Sequence, residues 1–261
     1  MAQLLLKGRQ FGPIHGVLFD KDGTLSHSEP NLLDLVRRRI AAAERLWRNR
    51  QQTSTSRAHD DRAYQLTSLL EHVYGVHGDA LDPAGTLAVA ARQDNLTSMA
   101  SVFCLMGCSW PEALTLSKTC FEQTDEGPAG SSALLPGAEQ FLQRCQQGAL
   151  TMAVISNDTA VGITRFLAHH QLNDIFAPGW SADDHPRKPD PQAVRSLCQR
   201  LNLQPECCAL IGDAETDLVM ARDAGIGVVL GYRGGWQRQP QLSSSPHCFE
   251  DWSELEVIAD P

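Results

Sequence analysis

The chain has 261 residues, enough for one large domain or two modest ones with a buried core. Its 22 Lys and Arg stand against 31 Asp and Glu, a net charge of −9, which excludes a general attraction to nucleic acid or to an anionic membrane surface. The eight cysteines lack the paired short spacing of zinc sites, no run approaches the ~18 apolar residues of a membrane span, and the apolar run in MAQLLLKGRQ is too short for a signal peptide; a cytoplasmic protein with reduced, mostly buried thiols is expected.

In chain order, the first clear element is His15 to Asp20 (HGVLFD), an apolar run that reads as a buried strand and ends in the polar stretch Asp20-Lys21-Asp22-Gly23-Thr24. From His27 to Ala133 the texture is helical, with no convincing strand. Asn31 is read as the cap of a long helix whose apolar face runs through Leu32, Leu33, Leu35, Val36, Ile40, Leu46 and Trp47. The polar segment Thr53–Arg57 interrupts it, and Ser109-Trp110-Pro111-Glu112 has the pattern of a capping box. The stretch TDEGPAGSSA links back to a second alternating region. There a helix from Pro136 stops at Gly148, a strand covers Leu150 to Ser156, Asp190-Pro191 caps a helix, a strand covers Cys207 to Asp213, Gly225 closes a helix, and a strand covers Ile226 to Leu230. Strands alternating with helices predict an α/β fold with a mostly parallel, doubly wound, Rossmann-like sheet. The expected organisation is a core of residues 1–26 and 134–261, interrupted by an α-helical insert of residues 27–133.

Ligands of such sheets bind beyond the carboxyl ends of the strands, so polar residues that follow different strands converge. Asp20 and Asp22 follow the first strand, Ser156 and Asn157 the second, and Asp213 and Asp217 the third, with Lys188 on the loop before Asp190. Clustered carboxylates repel and need a cation, and hard oxygen ligands suit Mg²⁺. Ser156 and Lys188 are natural partners for phosphate oxygens, one a hydrogen-bond donor and the other a point charge. Taken singly, each feature also has a plain structural reading: Asp-x-Asp-Gly is a turn, Ser156-Asn157-Asp158 a helix cap, and Asp217 a charge on a helix first turn.

The four segments DKDGTL, ISN, KPDP and GDAETD, in this order and each at a strand end or adjoining loop, resemble the four motifs of the haloacid dehalogenase superfamily. The helical insert falls where that family carries its cap domain. The resemblance implies that Asp20 is a nucleophile that becomes an aspartyl phosphate, and that Asp22 is the general acid and then the general base. It further implies that Asp20, the Asp22 carbonyl and Asp213 ligate Mg²⁺ with Asp217 as an outer ligand or orienting group, and that Thr24, Ser156, Asn157 and Lys188 surround the phosphoryl group. Asp22 separates this chain from P-type ATPases, which have a threonine there, and from dehalogenases and phosphonate-cleaving relatives, which lack the aspartate.

Strand alternation points the Lys21 side chain away from Asp20, so it is read as tuning charge or packing at the rim. In the insert, Arg92, Gln93 and Asn95 within LDPAGTLAVAARQDNL are candidate substrate contacts, with solvated cap residues as the alternative. Arg37, Arg38, Arg39, Arg45, Arg48 and Arg50 are read as the solvated face of the long helix. The expectation is a Mg²⁺-dependent phosphatase for a small phosphorylated metabolite of the phosphoglycolate or sugar-phosphate kind, with no nucleic-acid or membrane partner. A phosphosugar mutase and a non-catalytic phosphometabolite-binding protein are the alternatives. Oligomeric state is not legible in the sequence.

Overall fold

The computed structural model describes residues 2–50, 57–125 and 132–259. In chain order its elements are β1 (Ala2–Leu6), β2 (Arg9–Ile14), β3 (Gly16–Phe19), α1 (Glu29–Arg50), α2 (Arg57–Tyr74), β4 (Val76–His77), β5 (Ala80–Leu81), α3 (Thr86–Val89), α4 (Arg92–Leu105) and α5 (Trp110–Asp125). They continue with α6 (Ala138–Gln147), β6 (Thr151–Val154), α7 (Ala160–His169), α8 (Pro191–Arg200), β7 (Cys208–Gly212), α9 (Glu215–Ala224), β8 (Val228–Tyr232), β9 (Cys248–Phe249) and β10 (Leu255–Ala259). The chain forms two compact units, Met1–Ser28 with Ser131–Pro261, and Glu29–Gly130. The polar segment 53–56 and most of the TDEGPAGSSA link, residues 126–131, lie outside the described residues.

The first unit is built on a five-stranded sheet in the order β6-β3-β7-β8-β9, with every pairing parallel. Each strand is short and apolar because both faces are covered. Val17 and Phe19 pack on one face with Phe141 and Leu142 of α6 and Ile163 and Phe166 of α7. Leu18, between them, points to the other face, against Val194 and Leu197 of α8 and Met220 and Ala221 of α9. The sheet is thus doubly wound, as the alternation of strands and helices predicts. Its order reverses at β3, with β6 on one side and β7 on the other, so the crevice at a topological switch point opens at the end of β3, where Asp20 stands. The last main strand begins two residues later than the apolar run Ile226–Leu230, because Gly225 ends α9 in the left-handed conformation (φ +89°) and the chain needs Ile226 and Gly227 to turn.

A second sheet, β10-β1-β2, is antiparallel and not anticipated by the sequence reading. Lys7 and Gly8 both have positive φ, as a two-residue hairpin turn requires, and Ala2, Leu4 and Leu6 face the core in strict alternation. Arg144 of α6 anchors this sheet by donating from Nη2 to the carbonyls of Trp252 (3.3 Å) and Leu255 (3.0 Å). Trp252 is fully buried; its ring centroid lies 5.2 Å from Phe141, 5.1 Å from Tyr232, 5.3 Å from Phe249 and 6.3 Å from Phe19. The aromatic block therefore sits under the strand that ends at Asp20.

The second unit is mainly helical, but a two-residue hairpin, β4 with β5, corrects the expectation that it lacks strands. Its long helix starts at Glu29 rather than being capped by Asn31. Pro30 pre-sets the first-turn φ, and the Glu29 carboxylate accepts from the backbone N–H of Leu81 at 2.8 Å. The capping box at α5 is half realised, with Glu112 accepting from the Ser109 backbone. Among the arginines of α1, Arg37, Arg45, Arg48 and Arg50 are exposed, as a solvated face requires, although most of the six also make polar contacts to other parts of the unit, and buried Arg39 is the correction. Arg37 pairs with Asp79 at 2.6 Å, Arg38 donates to the Thr124 carbonyl at 2.6 Å, Arg45 to Gln123 at 2.6 Å, and Arg50 to both carboxylate oxygens of Glu112; Arg48 pairs with Glu44 within its own helix. Arg39 is buried. Its guanidinium lies 3.8 Å from the Phe121 ring centroid and pairs with Asp125 at 3.2 Å, and burial lowers its pKa from the ordinary arginine value against the pull of Asp125.

Replacing Trp252 by Ala removes the centre of the aromatic block and is expected to lower the unfolding free energy by about 3–5 kcal/mol, read as a shift in denaturant midpoint at constant slope. In the helical unit, Asp125→Ala strands the buried Arg39 charge, whereas Arg39→Met removes the charge and keeps the volume. The first is expected to lower the thermal midpoint more than the second.

Candidate active site

The site begins where β3 stops. Asp20 continues the sheet by donating its N–H to the Ile211 carbonyl (2.9 Å), and the chain then folds back on itself. The N–H groups of Leu25 and Ser26 both donate to the Lys21 carbonyl at 2.9 Å, and that of Gly23 donates to the Ser26 carbonyl at 3.0 Å. Gly23 has φ +79°, a conformation that L side chains rarely adopt, and it has no room for one. The turn delivers Thr24 inward, where its Oγ1 donates to Asp213 Oδ1 at 2.6 Å.

Asp213 follows β7, and Asp217 lies in the first turn of α9. Gly212, the last residue of β7, has no room for a side chain, since a Cβ there would press on the Asp217 side chain at 2.9 Å. Asp20, Asp213 and Asp217 are all buried and each offers an oxygen within 4.8 Å of the others. Lys188, on the loop before α8, reaches into this group. Its Nζ donates to Asp20 Oδ1 at 2.7 Å and to the Ile155 carbonyl at 3.3 Å, and pairs with Asp217 Oδ1 at 2.8 Å. Asp190 caps α8 by accepting from the Gln192 N–H at 2.8 Å, with Pro191 in the first turn, which fixes the loop that carries the lysine.

The titration of the cluster follows from its burial. Asp213 is held well above the ordinary carboxylate range by burial and by the charges of Asp20 and Asp217, against the hydrogen bonds from Thr24 and Trp236. Burial pushes Asp217 up to about 6 against the pull of Lys188. Lys188 is raised above the ordinary lysine range, because Asp20 and Asp217 outweigh the opposing effect of burial. Three carboxylates share one ammonium, so the group carries excess negative charge away from water. A hard divalent cation with oxygen ligands fits this donor set, and Asp20, Asp213 and Asp217 are the side chains that could hold it.

Ser156 follows β6 and is buried. Its N–H donates to the Trp180 carbonyl at 2.9 Å, and its Oγ accepts from the Asp158 N–H at 3.1 Å. Half-buried Asn157 lies on the same loop. Neither residue caps α7, because that position belongs to Thr159, whose hydroxyl accepts from the Gly162 N–H at 3.1 Å. Asp22 is held at Oδ1 by Ser28 Oγ and by Lys21 Nζ (2.6 Å). Of the two readings of Lys21, tuning charge and packing at the rim, its ion pairs fit the first and its burial corrects the second. It is buried, pairs also with Asp158 at 3.2 Å, and lies 5.6 Å from the Phe166 ring centroid. Its pKa is raised because Asp22 and Asp158 together outweigh the cost of burial. The chain leaves strand geometry at Asp20, so strand alternation does not govern where Lys21 points.

Of the three residues singled out in the insert, two are engaged inside the helical unit. Arg92 pairs with Asp125 and lies 5.1 Å from the Phe121 ring centroid. Asn95 is buried, and its Nδ2 donates to the carbonyls of Ala90 (3.0 Å) and Ala91 (3.3 Å). Gln93 is exposed. The sequence reading missed Ser28, Asp158 and Trp236. The pair Gly234-Gly235 before Trp236 is the one local signal, since adjacent glycines mark close backbone approach.

A family model described as haloacid dehalogenase-like hydrolase matches residues 14–225. A phosphoglycolate phosphatase of Vibrio vulnificus is 28% identical over 124 residues, and the alignment takes in 46% of this chain and 53% of that enzyme. The chain thus spans about half the length of the first curated relatives it matches. A phosphoglycolate phosphatase of Photobacterium profundum is 26% identical over 248 residues, 93% of this chain and 94% of that enzyme. Among solved structures, that of a predicted phosphoglycolate phosphatase from Haemophilus somnus has a TM-score of 0.63 at 17% identity, covering 92% of this chain and 96% of the other. With the four motif segments converging at the ends of β3, β6 and β7 and the family model running through all of them, the chain belongs to the haloacid dehalogenase-like hydrolases.

Proposed function

We propose that this chain is a Mg²⁺-dependent phosphatase that hydrolyses a small phosphorylated metabolite, phosphoglycolate or a sugar phosphate, through an aspartyl phosphate on Asp20. The observation that carries this reading is the Asp20 carboxylate at the switch point of the sheet, bonded to Lys188 at 2.7 Å and clustered with Asp213 and Asp217. The relatives named phosphoglycolate phosphatase support the substrate class. The helical unit takes the part of a cap, residues 27–133 in the sequence reading, and so contributes leaving-group selection.

In this mechanism Asp20 attacks phosphorus with its carboxylate, and the bond to the leaving oxygen breaks as Asp22 gives that oxygen a proton. Ser28 and Lys21 both engage Asp22 Oδ1, which leaves Oδ2 outside those bonds for proton transfer. In the second half Asp22 takes a proton from water, the water oxygen attacks phosphorus, and Asp20 is released with inorganic phosphate. Lys188 balances negative charge on the Asp20 side, and Ser156 donates to a phosphoryl oxygen. Asp20, Asp213 and the Asp22 carbonyl, with Asp217 as an outer ligand, would hold Mg²⁺, which would neutralise phosphoryl charge.

Asp20→Asn is expected to lower Mg²⁺-dependent phosphate release by at least about 10³-fold in protein that is folded by circular dichroism; retained activity would overturn the mechanism. Asp22→Asn separates the two half-reactions. With p-nitrophenyl phosphate, whose leaving group needs no proton, a burst of about one equivalent of nitrophenol should be followed by turnover slowed about 10²–10⁴-fold, while an alkyl phosphate gives no burst.

A further inference from the structure

Between β8 and β9 the chain runs as an irregular strap from Arg233 to His247. Several side-chain contacts fix its course. Ser243 Oγ donates to Glu215 Oε1 at 2.8 Å, the Ser244 N–H donates to Glu215 Oε2 at 3.2 Å, Ser245 Oγ donates to the Val229 carbonyl at 2.9 Å, and Gln239 Nε2 donates to Glu250 Oε1 at 2.6 Å. Glu215 is two residues from Asp213, so the strap is tied to the same segment that presents the metal-type carboxylates. At Gly234 and Gly235 the strap lies directly on its neighbours. A Cβ at Gly234 would overlap the Glu250 carbonyl, and one at Gly235 would overlap the Gly23 carbonyl in the turn after Asp22. The next residue is Trp236. It is buried, and its Nε1–H donates to Asp213 Oδ2 at 2.6 Å, while Thr24 holds Oδ1 at the same distance.

An indole N–H can only donate, and this buried ring is seated directly against Gly23 with its N–H on Asp213. With one donor on each oxygen, the Asp213 carboxylate is fixed in rotation, and the lone pairs not used by Thr24 and Trp236 have a set direction. Partners that orient a ligating carboxylate govern metal affinity as strongly as many ligands do. We propose that Trp236 is a positioning residue for Mg²⁺, fixing Asp213 for coordination, and that Gly234 and Gly235 are glycines because only a side-chain-free strap can seat the indole there. This rests on the reading of Asp213 as a Mg²⁺ ligand. The same contact makes the Trp236 indole an optical reporter of the site.

The test is Mg²⁺ binding to metal-free protein, followed by calorimetry and by tryptophan fluorescence, in wild type, Trp236→Phe, Gly235→Ala and Asp213→Asn. Wild type is expected to bind with a fluorescence change that Trp236→Phe lacks. Trp236→Phe should bind about 10–100-fold more weakly, and Asp213→Asn should not bind measurably. In turnover assays the Trp236→Phe defect should appear more in the Mg²⁺ concentration for half-maximal rate than in kcat, a split that general loosening of the fold would not produce. Should Trp236→Phe fail to fold by circular dichroism, Gly235→Ala, which keeps the indole and displaces the strap, decides the matter by the same expected loss. An affinity within about twofold of wild type in the folded variant, with binding lost in Asp213→Asn, overturns the role of Trp236 and leaves the metal reading intact. Absence of Mg²⁺ binding in wild type overturns both.

Discussion

Three carboxylates shielded from water, with oxygens inside 4.8 Å of one another, form the arrangement that folding favours least, and much of the first unit serves to hold it. Lys188 is the direct answer, placing one ammonium between Asp20 and Asp217. Burial first, and then the charge of neighbouring carboxylates that one ammonium does not balance, holds Asp213 and Asp217 above the ordinary carboxylate range. The same imbalance is what suits the cluster to a hard cation and to the phosphoryl transfer proposed for it.

The cluster also dictates backbone choices around it. Gly23 turns with positive φ so that Thr24 can reach Asp213, and Gly212 leaves space for Asp217. Lys21 repeats the logic of Lys188 on the other flank, its buried ammonium shared between Asp22 and Asp158. Each flank of the Asp20 turn therefore has a lysine joining two carboxylates from different segments. These contacts connect the ends of β3, β6 and β7, which sheet hydrogen bonds alone would leave as three independent loops.

The parallel core was legible in the sequence because strands covered on both faces must be apolar throughout, and Val17, Leu18 and Phe19 leave no other reading. The clustering of Asp20, Asp213, Asp217 and Lys188 was legible for a related reason: residues at the ends of such strands have one place to converge. Less local features were not. β1 is five residues long, and although a hairpin joins it to β2, its other edge is paired by β10, some 250 residues away. Arg39 looks like any helix-surface arginine until Phe121 of α5 covers it. Trp236 is separated from Asp213 by a helix, a strand and a turn, and nothing in its immediate neighbours names its partner.

The central position of β3 has a consequence for how the chain comes to be folded. Its neighbours β6 and β7 begin at residues 151 and 208, and β1 waits for β10 at 255–259, so the sheet that presents Asp20 must be assembled from distant segments. The helical unit, by contrast, is contiguous, and all its described partners are present once residue 125 has been synthesised. During synthesis the helices can pack while β3 still presents unpaired backbone on both edges. The strand that leads into Asp20 is thus among the first segments made and among the last to be secured, whereas the hairpin turn at Lys7-Gly8 lets β1 and β2 pair at once on one edge.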